Sequence, residues 1–476
     1  MPSRRPIASD ALPPVWERGT LVLVPSLSFP VSELVKIAGI DHYEERLLCA
    51  VLLLDRPDVR LVYLTSRPVD PAVVDYYLSF LDDPVRARNR LHLVAVGEGG
   101  PRPLSDKLLG RPDVVARVRQ LVAGDASARL LPFNVTHREA ELAAALGLAL
   151  DGPPPEQVAL GSKSGSRRVA RRAGVAVVAG EEDLRSLPEL EGAADRLRRR
   201  GARRAVVKLN DGFSGQGNAL IDLAGPGGGV EARPTTFCAG EETWASYGPK
   251  VAIEGAVVEE VVEAPWASPS VQLRVAPGGA VNVVSSHDQI LGGPGGQVYL
   301  GCRFPAHPTY REAICRAGRA VGAVLAAEGV IGPFGVDFLV TGDADDFEVF
   351  LSEINLRMGG TTHPFWMARL ATGGHYDDDR GELVVRGERR CYVATDNLKV
   401  PGLAGRSPRE AIDAVAGAGL AFDRASGTGV TLHLLGALVG HAKLGATCIA
   451  ADLEEAEKLL GELDAVLGHL VSRPVP

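Results

Sequence analysis

The chain has 476 residues, of which 46% are apolar and 23% are charged, as in folded globular proteins and unlike disordered or fibrous chains. At roughly 150 residues per domain, this length predicts about three domains. Aromatic residues make up only 5% of the chain and the formal net charge is -8. These values exclude a base-stacking platform and a broad basic surface, so we predict no nucleic-acid partner.

The six cysteines are spread over the chain without a C-x-x-C pair, which favours free thiols in a reducing compartment. The first twenty residues contain prolines and charges but no apolar core segment, so we expect neither a signal peptide nor a membrane anchor. The apolar run 47–54 is typical of the longest in the chain and far shorter than the roughly 20 residues that span a bilayer. We therefore predict a cytoplasmic protein without a membrane partner.

Short apolar runs alternate with longer helical patterns in the first third of the chain. Four of these runs are predicted to be strands: residues 21–24, 60–64, 91–96 and 129–131. Such alternation predicts a parallel sheet flanked by helices, an α/β domain over residues 1–150. Three successive prolines at 153–155 can continue neither a helix nor a central strand, and they mark a domain joint.

Two lysines after this joint occupy positions that suit a bound anion. The chain has 8 lysines against 43 arginines. A lysine kept at a strand end therefore indicates that a compact point charge is needed there. Lys208 ends a predicted strand over residues 204–210. Lys163 begins a predicted helix capped by Ser162, where a cation is unfavourable to the helix dipole unless an anion is bound. Exposed lysines without a ligand are the alternative.

The turn after Lys208 contains Ser214, Gly215, Gln216 and Gly217. Its glycine spacing is neither that of a Walker loop nor that of a Rossmann fingerprint. Its backbone N–H groups could nevertheless surround phosphates, and an ordinary hairpin is the alternative. Further on, Glu259 and Glu260 lie within an apolar run, where an acid could bind an adenine amino group or ribose hydroxyls. The alternative there is an edge strand with outward carboxylates.

The most informative stretch is a predicted antiparallel hairpin over residues 335–355, with a polar Gly-Asp turn at 341–346. A turn centred near 344 or 345 makes opposed residue numbers sum to about 689 or 690, so Asp337 is expected opposite Ser352 or Glu353. Asn355 shares a face with Glu353 because strand side chains alternate. Opposed carboxylates destabilise a sheet, and a Mg²⁺ ion would reverse that effect. A polar face open to solvent is the alternative.

Residues 156–375 resemble the ATP-grasp superfamily in the order of their motifs: two lysines, a glycine-rich hairpin, an acidic strand and a late D…E-x-N hairpin. The resemblance implies that Lys163, Lys208 and the 214–217 turn bind ATP phosphates. It further implies that Glu259 or Glu260 contacts the nucleoside, and that three side chains hold one or two Mg²⁺ ions, with Mn²⁺ as an alternative: Asp337, Glu353 and Asn355.

Four further motifs resemble those of the pheganomycin-type peptide ligases: YEERLL at 43–48, YLTSRP at 63–68, SHDQILGG at 286–293 and EINLRMGGTTHP at 353–364. This resemblance spans nearly the whole chain. It implies an α/β pre-grasp domain (1–150), a two-lobed grasp core of α+β type (156–258 and 259–376) and a small α+β C-terminal domain (377–476). The C-terminal domain would contribute to the acceptor pocket.

The activity implied by the resemblance is ATP-dependent joining of a carboxylate to an amine through an acyl phosphate. The expected substrates are small carboxylates and amines or short peptides, in natural-product biosynthesis. The oligomeric state is left open, a homo-oligomer included. A grasp-type kinase or thioester-forming ligase would use the same nucleotide site. A nucleotide-binding regulatory module without turnover is the other alternative, and an intact metal set disfavours it.

The chain departs from the D-alanine ligase relatives at one position. Those relatives have an arginine two residues before the metal-binding aspartate, whereas this chain has Gly335 there. Another arginine must then stabilise the transferring phosphoryl group. The candidates are Arg274, Arg303 and Arg357, and Arg357 is preferred because it follows Asn355 by two residues on the same predicted strand face. The candidates for the base that deprotonates the amine are His287, Asp288 and His363.

Overall fold

The computed structural model describes residues 16, 18–212, 215, 217–225, 229–293, 296 and 298–471. The chain divides into two compact units. The first unit consists of Met1–Pro155, Gly301–Pro305 and Arg357–Pro476, and the second of Glu156–Leu300 and Ala306–Leu356. The four-part division expected from the resemblance stays a prediction.

The first unit begins with a parallel sheet in the strand order β3-β2-β1-β4-β5, as the alternating apolar runs predicted. A buried 3₁₀ helix, Ile40–Asp55, precedes the second strand. The other elements of this part are β1 Gly19–Val24, α1 Val31–Leu34, β2 Val59–Thr65, α2 Pro71–Leu78, α3 Pro84–Arg88, β3 Leu91–Ala95, α4 Leu104–Leu109, α5 Pro112–Val122, β4 Arg129–Pro132, α6 His137–Leu146 and β5 Ala149–Leu150. Buried valines and leucines of the strands pack against α4, α5 and α6. The predicted α/β class of this part is confirmed.

The second unit contains a five-stranded antiparallel sheet in the order β6-β10-β7-β8-β9. Its elements are α7 Lys163–Arg172, β6 Gly180–Leu184, α8 Leu187–Arg199, β7 Arg204–Leu209, β8 Asn218–Asp222, β9 Thr235–Phe237, α9 Trp244–Glu254 and β10 Ala256–Glu260. One sheet face forms an apolar core with α8 and α9. Ser162 caps α7 by accepting a hydrogen bond from the backbone N–H of Gly165 at 3.0 Å, which confirms the predicted cap.

Four further strands of the second unit carry the predicted hairpin, in the order β15-β14-β11-β12. The elements are β11 Pro269–Val275, β12 Val281–Gly292, α10 Pro308–Ala327, β14 Gly332–Gly342 and β15 Phe347–Asn355. Another strand, β13 Val298–Phe304, begins in the second unit and ends in the first. Helix α10 covers the apolar face of this sheet. A Cβ at Gly322 would lie 2.4 Å from Val281 and 3.1 Å from Phe334, so glycine permits the close helix packing. The opposite face is polar.

The C-terminal part of the first unit is of α+β type. Its elements are α11 Thr362–Thr372, β16 His375–Asp377, β17 Glu382–Val385, β18 Glu388–Lys399, α12 Pro408–Gly417, β19 Gly429–His433, α13 Ala437–His441, β20 Lys443–Ala450 and α14 Leu453–Val471. β20 pairs antiparallel with β18 and with β19. All six cysteines are buried and free, as predicted. Within the described ranges, no helix combines the length and apolarity needed to cross a membrane.

Candidate active site

The register of the β14–β15 hairpin places Asp337 directly opposite Glu353 and Gly335 opposite Asn355. Opposed residue numbers sum to 689 from the turn to Phe338, and a bulge then shifts the sum to 690. The predicted pairing of the two carboxylates is therefore confirmed. Asn355 donates its Nδ2–H to Asp337 Oδ2 at 3.0 Å, so three oxygen-bearing side chains lie together on one sheet face.

The polar face continues across the neighbouring strands. Ser270 of β11 pairs with Asp337 on one side and with His287 of β12 on the other. Directly opposed residues share a sheet face, so a polar row crosses four strands. In the next row, the amide of Gln272 fills the space beside Gly335, where a Cβ would lie 2.9 Å from its nitrogen. A side chain at position 335 would therefore require the amide of Gln272 to move.

Lys163 and Glu353 form an ion pair. The ammonium of Lys163 also donates to the carbonyl of Gly212 at 3.0 Å, at the start of the glycine-rich turn. Lys163 is 6% exposed and the side chain of Glu353 is 23% exposed. One lysine assigned to phosphate and one carboxylate assigned to metal are thus in direct contact. The two opposite charges therefore neutralise each other in this structure.

Lys208, the second predicted lysine, is held by Glu259 of the adjacent strand. Its ammonium lies 2.7 Å from Glu259 Oε2 and 3.5 Å from Ser352 Oγ of β15. The other carboxylate oxygen of Glu259 accepts from Arg167 Nη1 at 2.5 Å. Glu259 therefore orients Lys208. Glu260, half-buried at the strand end, is the other acid that the sequence singled out for the nucleoside.

The charge state of Glu259 follows from this arrangement. Burial opposes ionisation of its carboxyl, which is 2% exposed. Lys208 and Arg167 outweigh that penalty and hold the pKa of Glu259 below its ordinary value. The carboxylate is therefore ionised at neutral pH and pairs with both Lys208 and Arg167.

Two of the four predicted turn residues, Ser214 and Gln216, lie outside the described residues. Gly215 has a backbone φ of +77°, a conformation that glycine adopts without strain. Gly217 lies against Gly212, since a Cβ on either would be 3.0 Å from the Cα of the other. Backbone conformation at Gly215 and close backbone packing at Gly217 therefore explain these two glycines. The phosphate role of the turn stays a prediction.

The strand placement of Arg357 is wrong. β15 ends at Asn355, and Arg357 belongs to the first unit, where its guanidinium lies 5.5 Å from the ring centre of Phe29. The alternating apolar pattern continues through Leu356, but the chain leaves the sheet there. Arg303 also belongs to the first unit, and it pairs with Glu457 at 2.7 Å.

Arg274 is the candidate arginine that belongs to the second unit. It lies on β11 opposite Pro333 and is 8% exposed. Because it is four residues from Ser270, it shares the sheet face of Asp337 at roughly 13 Å along the strand. Its role in the reaction stays a prediction, as do those of Arg303 and Arg357.

The candidate bases are all engaged or buried. His287 is fully buried, and burial lowers its pKa to about 3, so it is a weak base at neutral pH. Burial likewise lowers the pKa of His363 to about 4, although Asp396 opposes that shift. The carboxylate of Asp288 accepts hydrogen bonds from Tyr310 Oη at 2.7 Å and from the backbone N–H of His307 at 2.9 Å.

Arg167 is the residue of this cluster that the sequence reasoning missed. It is 1% exposed and bridges Glu259 and Glu182. The available signal was its position four residues after Lys163 on the same helix, which places the two side chains on one face. The helix has four arginines, however, and nothing in the pattern says which of them is buried.

Models of three protein families match the chain. The Pre ATP-grasp domain matches residues 50–148, the IQCH-like ATP-grasp domain matches residues 236–378, and the PGM1 C-terminal domain matches residues 410–460.

Two curated proteins are similar over most of the chain. L-propargylglycine–L-glutamate ligase of Streptantibioticus cattleyicolor is 35% identical over 453 residues, which cover 92% of each chain. IQ motif-containing protein H of Danio rerio is 23% identical over 449 residues, which cover 80% of this chain and 40% of that protein.

Solved structures with a similar fold include nucleotide complexes. Biotin carboxylase of Campylobacter jejuni with βγ-ATP has a TM-score of 0.56 at 15% identity, covering 96% of each chain. The ADP complex of N5-carboxyaminoimidazole ribonucleotide synthetase has a TM-score of 0.54 at 12% identity, covering 97% of this chain and all of that one. The biotin carboxylase domain of 2-oxoglutarate carboxylase from Hydrogenobacter thermophilus with MgADP has a TM-score of 0.55 at 14% identity, covering 95% of this chain and 94% of that one. These likenesses show the ATP-grasp fold.

The chain belongs to the pheganomycin-type ligases of the ATP-grasp superfamily. It is an ATP-dependent ligase that joins a carboxylate to an amine.

Proposed function

We propose that the second unit binds Mg·ATP on the polar face of β14 and β15 and uses it to convert a carboxylate into an acyl phosphate. The observation that carries this proposal is the contact between Lys163 and Glu353 beside the opposed pair of Asp337 and Glu353. Lys163 and Lys208 would bind the nucleotide phosphates. Asp337, Glu353 and Asn355 would hold the ion, as oxygen ligands that suit Mg²⁺.

The residues present fit such a group. Asp337 and Glu353 stand directly opposite each other with Asn355 beside Asp337, a set of oxygen donors that suits Mg²⁺. When bound, Mg²⁺ would neutralise charge on the transferring phosphoryl group. The lysines would orient that group, and we propose that Arg274 stabilises its developing charge. The 214–217 turn would exclude water from the acyl phosphate, which otherwise hydrolyses.

We infer that both substrates are amino acids or short peptides. Support comes from the relative in Streptantibioticus cattleyicolor, whose name describes ligation of L-propargylglycine to L-glutamate. A panel of amino acids and dipeptides, tested as carboxylate and as amine, therefore examines this inference.

Release of ADP from the purified chain tests this function. We expect release that requires a carboxylate and an amine together. Hydroxylamine should replace the amine and yield a hydroxamate, because it traps an acyl phosphate. ADP release with a carboxylate and a thiol, or phosphorylation of a hydroxyl without condensation, would instead show the thioester-forming ligase or the kinase. Nucleotide binding without ADP release under any pair would contradict the proposal.

Replacing Lys208 by methionine should raise the Kd for a non-hydrolysable ATP analogue by about 10- to 100-fold, the worth of a hydrogen bond to a charged group. The fold should survive because Arg167 still neutralises Glu259. Titration calorimetry measures the change. The matched control is Lys250→Met, since Lys250 of the same unit pairs with Glu242 instead. Equal affinities of the two variants would remove Lys208 from the phosphate site.

A further inference from the structure

Three buried side chains converge in the first unit, and one of them is His363, a candidate base in the sequence analysis. His363 Nε2 lies 2.9 Å from Asp396 Oδ1, and His433 Nε2 lies 2.8 Å from the same oxygen. The two imidazole nitrogens are 3.1 Å apart. Each of the three residues is at most 9% exposed. The atoms thus form a closed triangle of short contacts away from solvent.

Local backbone features aim these side chains at one point. His363 lies in the first turn of α11 and Asp396 in a bulge of β18. His433 ends β19 opposite Gly445, where a Cβ would lie 2.1 Å from the imidazole. The next residue, Leu434, has a φ of +54°. Bulges and strained residues of this kind concentrate at functional sites.

Hydrogen bonds cannot satisfy all three contacts while Asp396 is ionised. If both Nε2 atoms carry protons, both donate to Asp396 but face each other as two donors. If one Nε2 lacks its proton, its lone pair faces the carboxylate oxygen. With Asp396 as a carboxylate, every distribution of protons over the two imidazoles therefore leaves one of the three contacts unfavourable. A cation at the centre makes all three favourable, because each atom then directs a lone pair at it.

We propose that His363, Asp396 and His433 bind a divalent transition-metal ion, with Zn²⁺ the favoured one. Two imidazoles and a carboxylate are a ligand set of Zn²⁺, whereas Mg²⁺ prefers oxygen alone. Ligand atoms of a tetrahedral zinc site with bonds near 2.0 Å are roughly 3.3 Å apart. The triangle therefore opens by only a few tenths of an ångström on binding.

Arg46 and Lys443 set the strength of this site. Arg46 Nη1 lies 3.3 Å from Asp396 Oδ2, and its guanidinium stacks on the rings of Tyr43 and Phe133 at 4.8 and 4.9 Å. It orients the carboxylate and leaves Oδ1 for the metal. Lys443, also buried, donates to Tyr43 Oη at 2.6 Å. Two neighbouring cations weaken binding of a dication, so we expect exchangeable Zn²⁺.

Among the described residues, this cluster offers three protein ligands. A three-ligand zinc site keeps a fourth position for water or another donor, unlike the closed four-ligand sites of purely structural zinc. The proposed ion is therefore able to bind a ligand of its own. This inference is independent of the Mg·ATP proposal, which concerns oxygen ligands in the second unit.

Metal titration of the full chain, after treatment with EDTA and desalting, tests the proposal. We expect one Zn²⁺ per chain by calorimetry. Co²⁺ should give the intense visible absorption of a tetrahedral site with imidazole ligands, whereas an all-oxygen octahedral site absorbs weakly. His433→Ala should weaken Zn²⁺ binding by more than about 100-fold, since even outer partners of metal ligands are worth 10- to 100-fold.

The controls separate this site from others. His375→Ala removes an exposed histidine of the same unit and should leave the titration unchanged, as should Glu353→Gln. If His433→Ala fails to fold by circular dichroism, Asp396→Asn replaces it in the same titration. A wild-type chain that binds neither Zn²⁺ nor Co²⁺ overturns the proposal, as does equal binding by His433→Ala. The three side chains would then be a hydrogen-bonded cluster only.

Discussion

Replacing Glu353 by glutamine is expected to lower kcat by about 10³-fold, equivalent to about 4 kcal/mol of transition-state stabilisation. Glutamine keeps the shape of the side chain but removes the charge that would bind a dication. It also leaves Lys163 without its ion-pair partner in the absence of ligand. The fold should persist because the side chain is partly exposed at the rim of the sheet. Steady-state ADP release measures the effect.

The matched control for this change is Glu348→Gln. Glu348 lies on the same strand, is exposed and stands opposite Thr341, nearer the turn. Its replacement should leave kcat within about twofold, as expected for a surface substitution. If Glu353→Gln kept more than a tenth of the wild-type kcat, Glu353 would not be a metal ligand of the reacting complex.

Replacing Arg167 by methionine is expected to reduce the free energy of unfolding by about 3–5 kcal/mol, the cost of breaking a buried ion pair from one side. Arg167 is 1% exposed and pairs with the buried carboxylate of Glu259. Without Arg167, Lys208 would be the single cation paired with Glu259. Urea unfolding followed by circular dichroism measures the loss. Nucleotide affinity should fall as well, because the orientation of Lys208 depends on Glu259.

Arg171→Met is the control on the same helix. Arg171 is 48% exposed at its side chain and pairs with Glu182 at the surface, so its loss should cost under about 1 kcal/mol. Equal destabilisation by the two changes would contradict the buried-pair interpretation.

The destabilisation by Arg167→Met should depend on pH. The pKa of Glu259 is lowered in the folded chain from an ordinary value of 4.5. The stability contributed by its ion pairs is therefore complete above that value and is lost as pH falls through the lower folded pKa. The difference between Arg167→Met and the wild type should accordingly be largest at neutral pH and narrow in acid.

The hairpin that carries the candidate metal ligands could be predicted because it depends on local rules. Strand alternation and a polar Gly-Asp turn define its register, and the structure places Asp337 opposite Glu353 accordingly. The cap of α7 is equally local, since Ser162 contacts Gly165 within one turn. The parallel strands of the first unit follow from apolar runs separated by helices.

Other features could not be predicted because they depend on distant partners. The run around Glu259 and Glu260 gives both acids the same local environment, and burial of Glu259 follows from Arg167 on another element. The chain leaves the sheet before Arg357, although the apolar pattern continues there. The bulge that contains Asp396 leaves no signature in sequence. The position of each residue in its sheet, rather than its type, decides its burial and its partners.

The most direct test of the proposed site is a crystal structure of the chain with Mg²⁺ and a non-hydrolysable ATP analogue. We predict an ion about 2.0–2.1 Å from oxygen atoms of Asp337, Glu353 and Asn355, the distance typical of Mg²⁺. The phosphates of the analogue should contact Lys163 and Lys208. An ion and triphosphate bound to other residues, with Glu353 still paired to Lys163, would contradict the proposal.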